Sequence, residues 1–263
     1  MLRSMYSGIS GMKNFQTKLD VIGNNIANVN TYGFKKGRVT FKDAISQSIQ
    51  GASGGGTKGG TNPIQVGLGA TLGTIDTIDT QSSMQTTGRT LDLAIDGDGY
   101  FVVNDGTKDY YTRAGNFYLD DDGNLVNGDG FYVKDSAGAN IVISSSTYTS
   151  FSINSAGQII AIPKDGGANV TFNLGIAKFN NASGLTKVGG NLFQASDNSG
   201  PATVDIAEKE GRGSVRAGYL EMSNVDLSEE FTEMIVAQRG FQANTRIITT
   251  SDEILQELIN LKR

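Results

Sequence analysis

The chain has 263 residues, a net charge of −5, and no cysteine, histidine or tryptophan. These absences exclude disulfides, thiolate nucleophiles, Cys- or His-ligated metals and Ser-His-Asp catalysis, and no cofactor motif takes their place. The charges are interspersed, so the chain offers neither the clustered positive surface that nucleic acid requires nor a polybasic membrane anchor.

Residues 1 to about 30 are expected to form a first helix. Met5, Met12, Leu19 and Ile26 recur every seven positions, and Phe15, Ile22 and Val29 fill the offset. This is a heptad stripe. Gly8, Gly11 and Gly23 interrupt it, each at a cost of about 1 kcal/mol relative to Ala, so the helix depends on packing. Asn24, Asn25, Asn28 and Asn30 continue the polar face until Thr31-Tyr32-Gly33, where Gly33 is a candidate left-handed helix stop. The start lacks the apolar core and small-residue cleavage site of a signal peptide, so any export is expected to use an uncleaved route.

Residues 34 to about 50 read as mixed, with a short helix or an extended arm around Phe41 to Ile49. A glycine-rich stretch follows. Gly54, Gly55, Gly56, Gly59 and Gly60 make it a flexible arm by composition. From about 70 to 220 the period is mostly two, with short apolar runs such as Tyr100 to Val103. Pairs such as Asp96-Gly97, Asp105-Gly106 and Asp122-Gly123 punctuate these runs, and such pairs favour turns that match strand twist.

Helical periodicity resumes at Asn224, with Asp226 or Ser228 as candidate cap. Leu227, Met234, Phe241, Ile248 and Leu255 form the second heptad stripe, and Ala237 and Leu258 lie on its offset. Lys262 and Arg263 suit the end of the helix dipole. The expected fold is α+β: discontinuous, coiled-coil-like terminal helices around an all-β middle, either a sandwich or an irregular barrel. No segment reaches 18 apolar residues, so no transmembrane helix is expected.

Three weaker signals reduce to turn or strand chemistry. The Asp120-Asp121-Asp122-Gly123-Asn124 run lacks the acidic twelfth position of a calcium loop. Gly67-x-Gly69 is not followed by a βαβ unit. Asp92, Asp96 and Asp98 sit at alternating or turn positions, which leaves a glycan-acting enzyme as a remote alternative. By contrast, the stripes lie at both extremes of the chain and carry polar residues at Gln16, Gln238, Asn244 and Asp252. They suit assembly better than a private core.

Several stretches together resemble the bacterial flagellar hook and rod axial protein family. At the N-terminal side these are Asn24, Asn25, Ala27, Asn28, Thr31, Gly33, Phe34 and Lys35 within the run 24–35. At the other end they are Ser223-Asn224-Val225-Asp226-Leu227 and the run 234–244. In the middle, 88–101 and 111–117 also match, whereas 140–210 match only loosely.

The resemblance implies a structural subunit without enzymatic activity. It would be exported through the flagellar type III apparatus and polymerise into a hollow helical tube. Residues 1–30 and 224–263 would form the inner-tube domain, 31–75 a connecting arm with 212–223 returning, and 76–211 an outer β domain. Met5, Met12, Phe15, Leu19, Ile22 and Ile26 would pack with Leu227, Met234, Phe241, Ile248, Leu255 and Ile259. The likeness leans toward the short hook members of Bacillus-like Gram-positive bacteria, working as an extracellular universal joint. Distal rod members, whose length the chain shares, are the alternative. Implied partners are copies of itself, a distal rod protein below, a hook–filament junction protein above, a hook cap during assembly, and the export apparatus. Neither nucleic acid nor membrane insertion is implied.

Overall fold

The computed structural model describes residues 2–52, 54–55 and 59–261. Gly56, expected in the flexible arm, and Lys262 and Arg263, expected at the helix end, lie outside the described residues. The fold is α+β, with a helix at each end and a middle built of sheets, none closed into a barrel. The chain divides into two compact units: one of Met1–Ala27, Gly37–Thr77 and Asp226–Arg263, the other of Asn28–Lys36 and Ile78–Val225. The stretch 31–75, expected as a single arm, is shared between them.

The first unit holds two helices, α1 (Leu2–Ala27) and α2 (Leu227–Leu261). Asp226 caps α2: its Oδ1 accepts the N–H of Ser228 at 2.8 Å and of Glu229 at 3.4 Å. Glu229 and Glu230 in the first turn add favourable charge at the positive end of the dipole. At 35 residues α2 is about 52 Å long, well beyond α1.

The same unit contains four strands: β1 (Gly37–Asp43), β2 (Ser46–Gln50), β3 (Ile64–Gly67) and β4 (Ala70–Thr77). β1 pairs antiparallel with β4, and β2 with β3, so that 37–77 is one long hairpin with the glycine-rich stretch at its tip. The region around Phe41 to Ile49 is therefore extended and contains no helix. Phe41, Ile45 and Ile49 are four apart, a spacing that would also fit one face of a helix, but here the antiparallel ladders satisfy the backbone. β1 and β4 lie against α1.

The second unit is built on the strand Tyr100–Asn104, which pairs with Asp109–Thr112, with Tyr132–Val133 and with Ile176–Lys178. Its run is continuously apolar because both faces are covered. Phe101 and Val103 enter one cluster with Leu93, Ile95, Phe117 and Leu125, whereas Tyr100 and Val102 enter another with Tyr111, Phe179 and Phe193. A three-stranded sheet of Tyr148–Ile153, Gln158–Pro163 and Val170–Asn173 supplies Ile159 to the first cluster. The Asp120 run is a hairpin turn: Asp120 Oδ1 accepts the Asp122 N–H at 2.6 Å, between the paired strands Tyr118–Leu119 and Leu125–Val126.

Candidate functional site

The first unit brings the two terminal stripes together within one chain. α1 and α2 run antiparallel: Asn25 meets Glu230, Lys18 pairs with Glu233, Phe15 lies over Gly240, Met12 meets Thr245, and Gly8 meets Ile248. Met5, Met12, Phe15, Leu19 and Ile26 are half-buried and Ile22 is buried. On α2 the buried line is Glu230, Met234, Ala237, Phe241, Asn244, Ile248, Ser251 and Leu255, spaced three and four apart throughout. Leu227 and Ile259, expected on this seam, lie outside it, with 39% and 67% of their surfaces exposed. The antiparallel register that sets Gly8 against Ile248 carries Ile259 past the start of α1, and Leu227 is the first residue of its helix.

The glycines that weaken the stripes in sequence do different work in space. A methyl group on Gly11 would come within 2.8 Å of the Asn244 side chain, and one on Gly240 would collide with the Phe15 ring. These positions leave room for a side chain of the facing helix to lie on the backbone. Gly23 meets nothing within 4 Å and carries only the propensity cost.

Asn25 ties three elements of the unit. Its Oδ1 accepts the Gly37 N–H at 2.9 Å, its Nδ2 donates to the Gly37 carbonyl at 2.9 Å, and Nδ2 also donates to Glu230 Oε2 at 3.2 Å. The side chain thus imitates a strand partner for the first residue of β1 while reaching α2. Asn24 and Ala27 are exposed on α1.

Asn28 to Lys35 belong to the second unit. Thr31 donates from its N–H to the Asn28 carbonyl at 3.1 Å, turning the chain after α1. Gly33 is left-handed, φ 68°, but it stands six residues beyond Ala27 and does not stop the helix. Its N–H donates to the Glu221 carbonyl at 2.9 Å, and a Cβ there would fall 2.6 Å from the Ala114 nitrogen. Phe34 lies under the Lys187 ammonium, 5.1 Å from the ring centre. Burial pushes the Lys187 pKa down.

Lys35 is the feature that the sequence did not reveal. Its side chain is fully buried, and Nζ donates to Glu221 Oε1 at 2.7 Å and to the Thr80 carbonyl at 2.8 Å. Asp79 Oδ1 is 3.7 Å away. Glu221, equally buried, also accepts Arg113 NH1 at 3.3 Å and the Ser82 N–H at 3.2 Å. Tyr100 donates its hydroxyl to Asp79 Oδ2 at 2.6 Å, and the Arg113 guanidinium sits over its ring. Burial first, then the Asp79 charge, hold the Tyr100 phenol protonated far above its usual range. Two cations face two carboxylates, so the cluster is balanced without solvent. A lysine in a signature run carries no sign of burial. Only the fold shows that it enters the core.

The carboxylates weighed for glycan chemistry are committed elsewhere. Asp92 pairs with Arg89 at 3.0 Å. Asp96 accepts Gln81 Nε2 at 2.8 Å and pairs with Arg216 at 2.6 Å, and these two contacts, Gln81 first, hold its carboxyl below the ordinary carboxylate pKa.

Along its full length and that of the relative, the chain is 61% identical to the flagellar basal-body rod protein FlgG of Bacillus subtilis. The chain belongs to the flagellar FlgE/F/G rod and hook protein family. Three family models match it: flagella basal body rod protein at 5–35, flagellar hook protein FlgE/F/G D1 domain at 94–161, and flagellar basal body rod FlgEFG protein C-terminal at 216–261. The flagellar basal-body rod protein FlgG of Borreliella burgdorferi is 38% identical over the whole of both chains. The flagellar hook protein FlgE of the same organism is 32% identical over an alignment of 441 positions covering both chains. The buried cluster draws on all three matched stretches: Lys35 from the first, Tyr100 and Arg113 from the second, and Glu221 from the third. As a rod and hook family member, the chain has a structural role in the flagellum, assembling into its axial structure.

Proposed function

We propose that this chain is the distal rod subunit, polymerising into a hollow shaft that carries motor torque outward. The observation that carries the polymer reading is where apolar surface remains. Most of the large apolar side chains left exposed among the described residues lie in the first unit, although it is the smaller. Along α2, Val236, Ile247, Ile254 and Leu261 form a second, exposed line at helical spacing, about 100° around the helix from the seam. On the hairpin, Ile45, Ile49, Ile64 and Ile75 are each more than half exposed. Apolar area on this scale is not left in water by a lone subunit.

The sequence reading placed the hook first and the distal rod second. Similarity favours the reverse order. The relative at 61% identity is a rod protein of matching length, whereas the hook relative at 32% needs an alignment of 441 positions against a chain of 263. Copies of the chain are its main partners, with neighbouring axial proteins at each end and the flagellar export apparatus as its carrier. We place it on the flagellar axis below the hook. Its work is structural, not enzymatic.

Electron microscopy of basal bodies from a strain lacking the gene tests the assignment. A shortened rod without distal segment or hook is the expected image. A complete rod without a hook would instead make it the hook protein, and intact hooks on complete rods would refute both readings.

The hairpin tip, including Gly54, Gly55, Gly59 and Gly60, we read as the arm that sets how freely neighbouring subunits shift. Deleting 54–60 should change the bending stiffness of the assembled tube and, with it, motility. Tubes of unchanged stiffness would remove the arm from the mechanism.

A further inference from the structure

The chain crosses between its two units four times: after Ala27, after Lys36, before Ile78 and after Val225. Residues beside three of these crossings are bound to one another within the second unit, Lys36 and Ile78 directly and Asn224 to both through its side chain. The Lys36 N–H donates to Asn224 Oδ1 at 2.7 Å. Asn224 Nδ2 donates to the Ile78 carbonyl at 2.9 Å and to Thr80 Oγ1 at 3.1 Å. The Ile78 N–H donates to the Lys36 carbonyl at 2.9 Å, and the Asn224 N–H to the Phe34 carbonyl at 3.4 Å. Ser82 Oγ donates to the Ser223 carbonyl at 2.6 Å and fastens the same return strand.

None of Lys36, Ile78 and Asn224 lies within a strand of the second unit. The Lys36 N–H and the Ile78 carbonyl take their partners from the Asn224 side chain. A carboxamide on a one-carbon stem supplies what the site needs: one acceptor and two donors held in a plane. Aspartate would keep the acceptor, lose both donors and set an oxygen against the Ile78 carbonyl. Leucine would leave all three partners unmet.

We propose that Asn224 is a clasp that makes three chain crossings share load. This rests on the reading of the chain as a torque-carrying axial subunit. The covalent crossings carry force from one unit to the other. Without the Asn224 side chain, only the Lys36–Ile78 backbone bond at the base of the β1–β4 ladder, the Asn224 N–H and the Ser223 carbonyl would join the three crossings. Bound side by side through Asn224, they deform together. Asn224 is a positioning residue here: it acts by holding Lys36 and Ile78.

The test compares Asn224→Ala and Asn224→Asp in the full chain. The first readout is amide hydrogen exchange in the purified protein. In Asn224→Ala the Lys36 amide is expected to exchange about tenfold faster or more, while the Phe101 amide in the core keeps its protection. In Asn224→Asp the Lys36 amide stays protected. The second readout is rotation of tethered cells against viscous load. Both variants should build rods and turn normally at low load, and lose speed or break as load rises, with Asn224→Ala the worse. Equal acceleration at Phe101 would make Asn224 an ordinary stabilising residue and overturn the proposal. So would unchanged rotation at high load, or failure of both variants to assemble with the core protected. Intact flagella in the gene-deletion strain would defeat the axial reading itself, separately from the exchange result.

Discussion

Replacing Glu221 with alanine is expected to lower the unfolding free energy of the second unit by about 3–5 kcal/mol. Glu221 faces two buried cations, Lys35 at 2.7 Å and Arg113 at 3.3 Å, and the side chains of all three are at most 2% exposed. Its removal leaves Asp79, 3.7 Å from Lys35, as the remaining carboxylate of the cluster. It also strips the Ser82 N–H of its acceptor. An uncompensated buried charge costs far more than the pair gains, which is why the deletion is severe even if the intact cluster adds little net stability. Urea unfolding of the dilute full chain, followed by tyrosine fluorescence, measures it: Tyr100 and Tyr111 report from the core of this unit. A loss below about 1 kcal/mol, the range of an exposed pair, would mean that water reaches the cluster and that it does not anchor the 28–36 segment. Lys35→Met should cost less than Glu221→Ala, because Glu221 would keep Arg113 as its counter-ion.

Leu19→Asp or Phe241→Asp should abolish polymerisation while leaving the second unit folded. Both side chains are half-buried on the seam between α1 and α2, where the buried line already carries Asn25 and Glu230. A further carboxylate would lack a partner there and cost a few kcal/mol, by holding either the helices apart or the charge out of water. Neither helix is strong alone: α1 contains three glycines at about 1 kcal/mol each, so the seam maintains both helices. Every subunit of a tube repeats the defect. Sedimentation of the purified variants under conditions that polymerise the parent protein gives the result. The urea transition of the tyrosine signal should stay in place. Normal tubes from either variant would show that the seam is not needed for assembly.

The two stripes were legible because a helix repeats every 3.6 residues, and heptads of Met, Phe, Leu and Ile can bury only one face. Antiparallel pairing, and the exposure of Leu227 and Ile259, were not legible: periodicity gives a face but not the register or length of its partner. Gly8, Gly11, Gly23 and Gly240 are identical letters at similar helical positions. Only the packing separates those that admit a close neighbour from the one that faces open space.

The sequence by itself determined the helix–β–helix order, the turn positions in the β region and the family, since each rests on local periodicity, turn chemistry or a long run of matching residues. It also excluded histidine- and cysteine-based chemistry by composition. Tertiary structure alone decided that the signature run is divided, with Asn25 serving one unit and Lys35 the core of the other. It alone brought Lys35, Arg113 and Glu221 together from positions up to 186 residues apart. Burial of a charge depends on which distant groups neutralise it, and no local pattern encodes that.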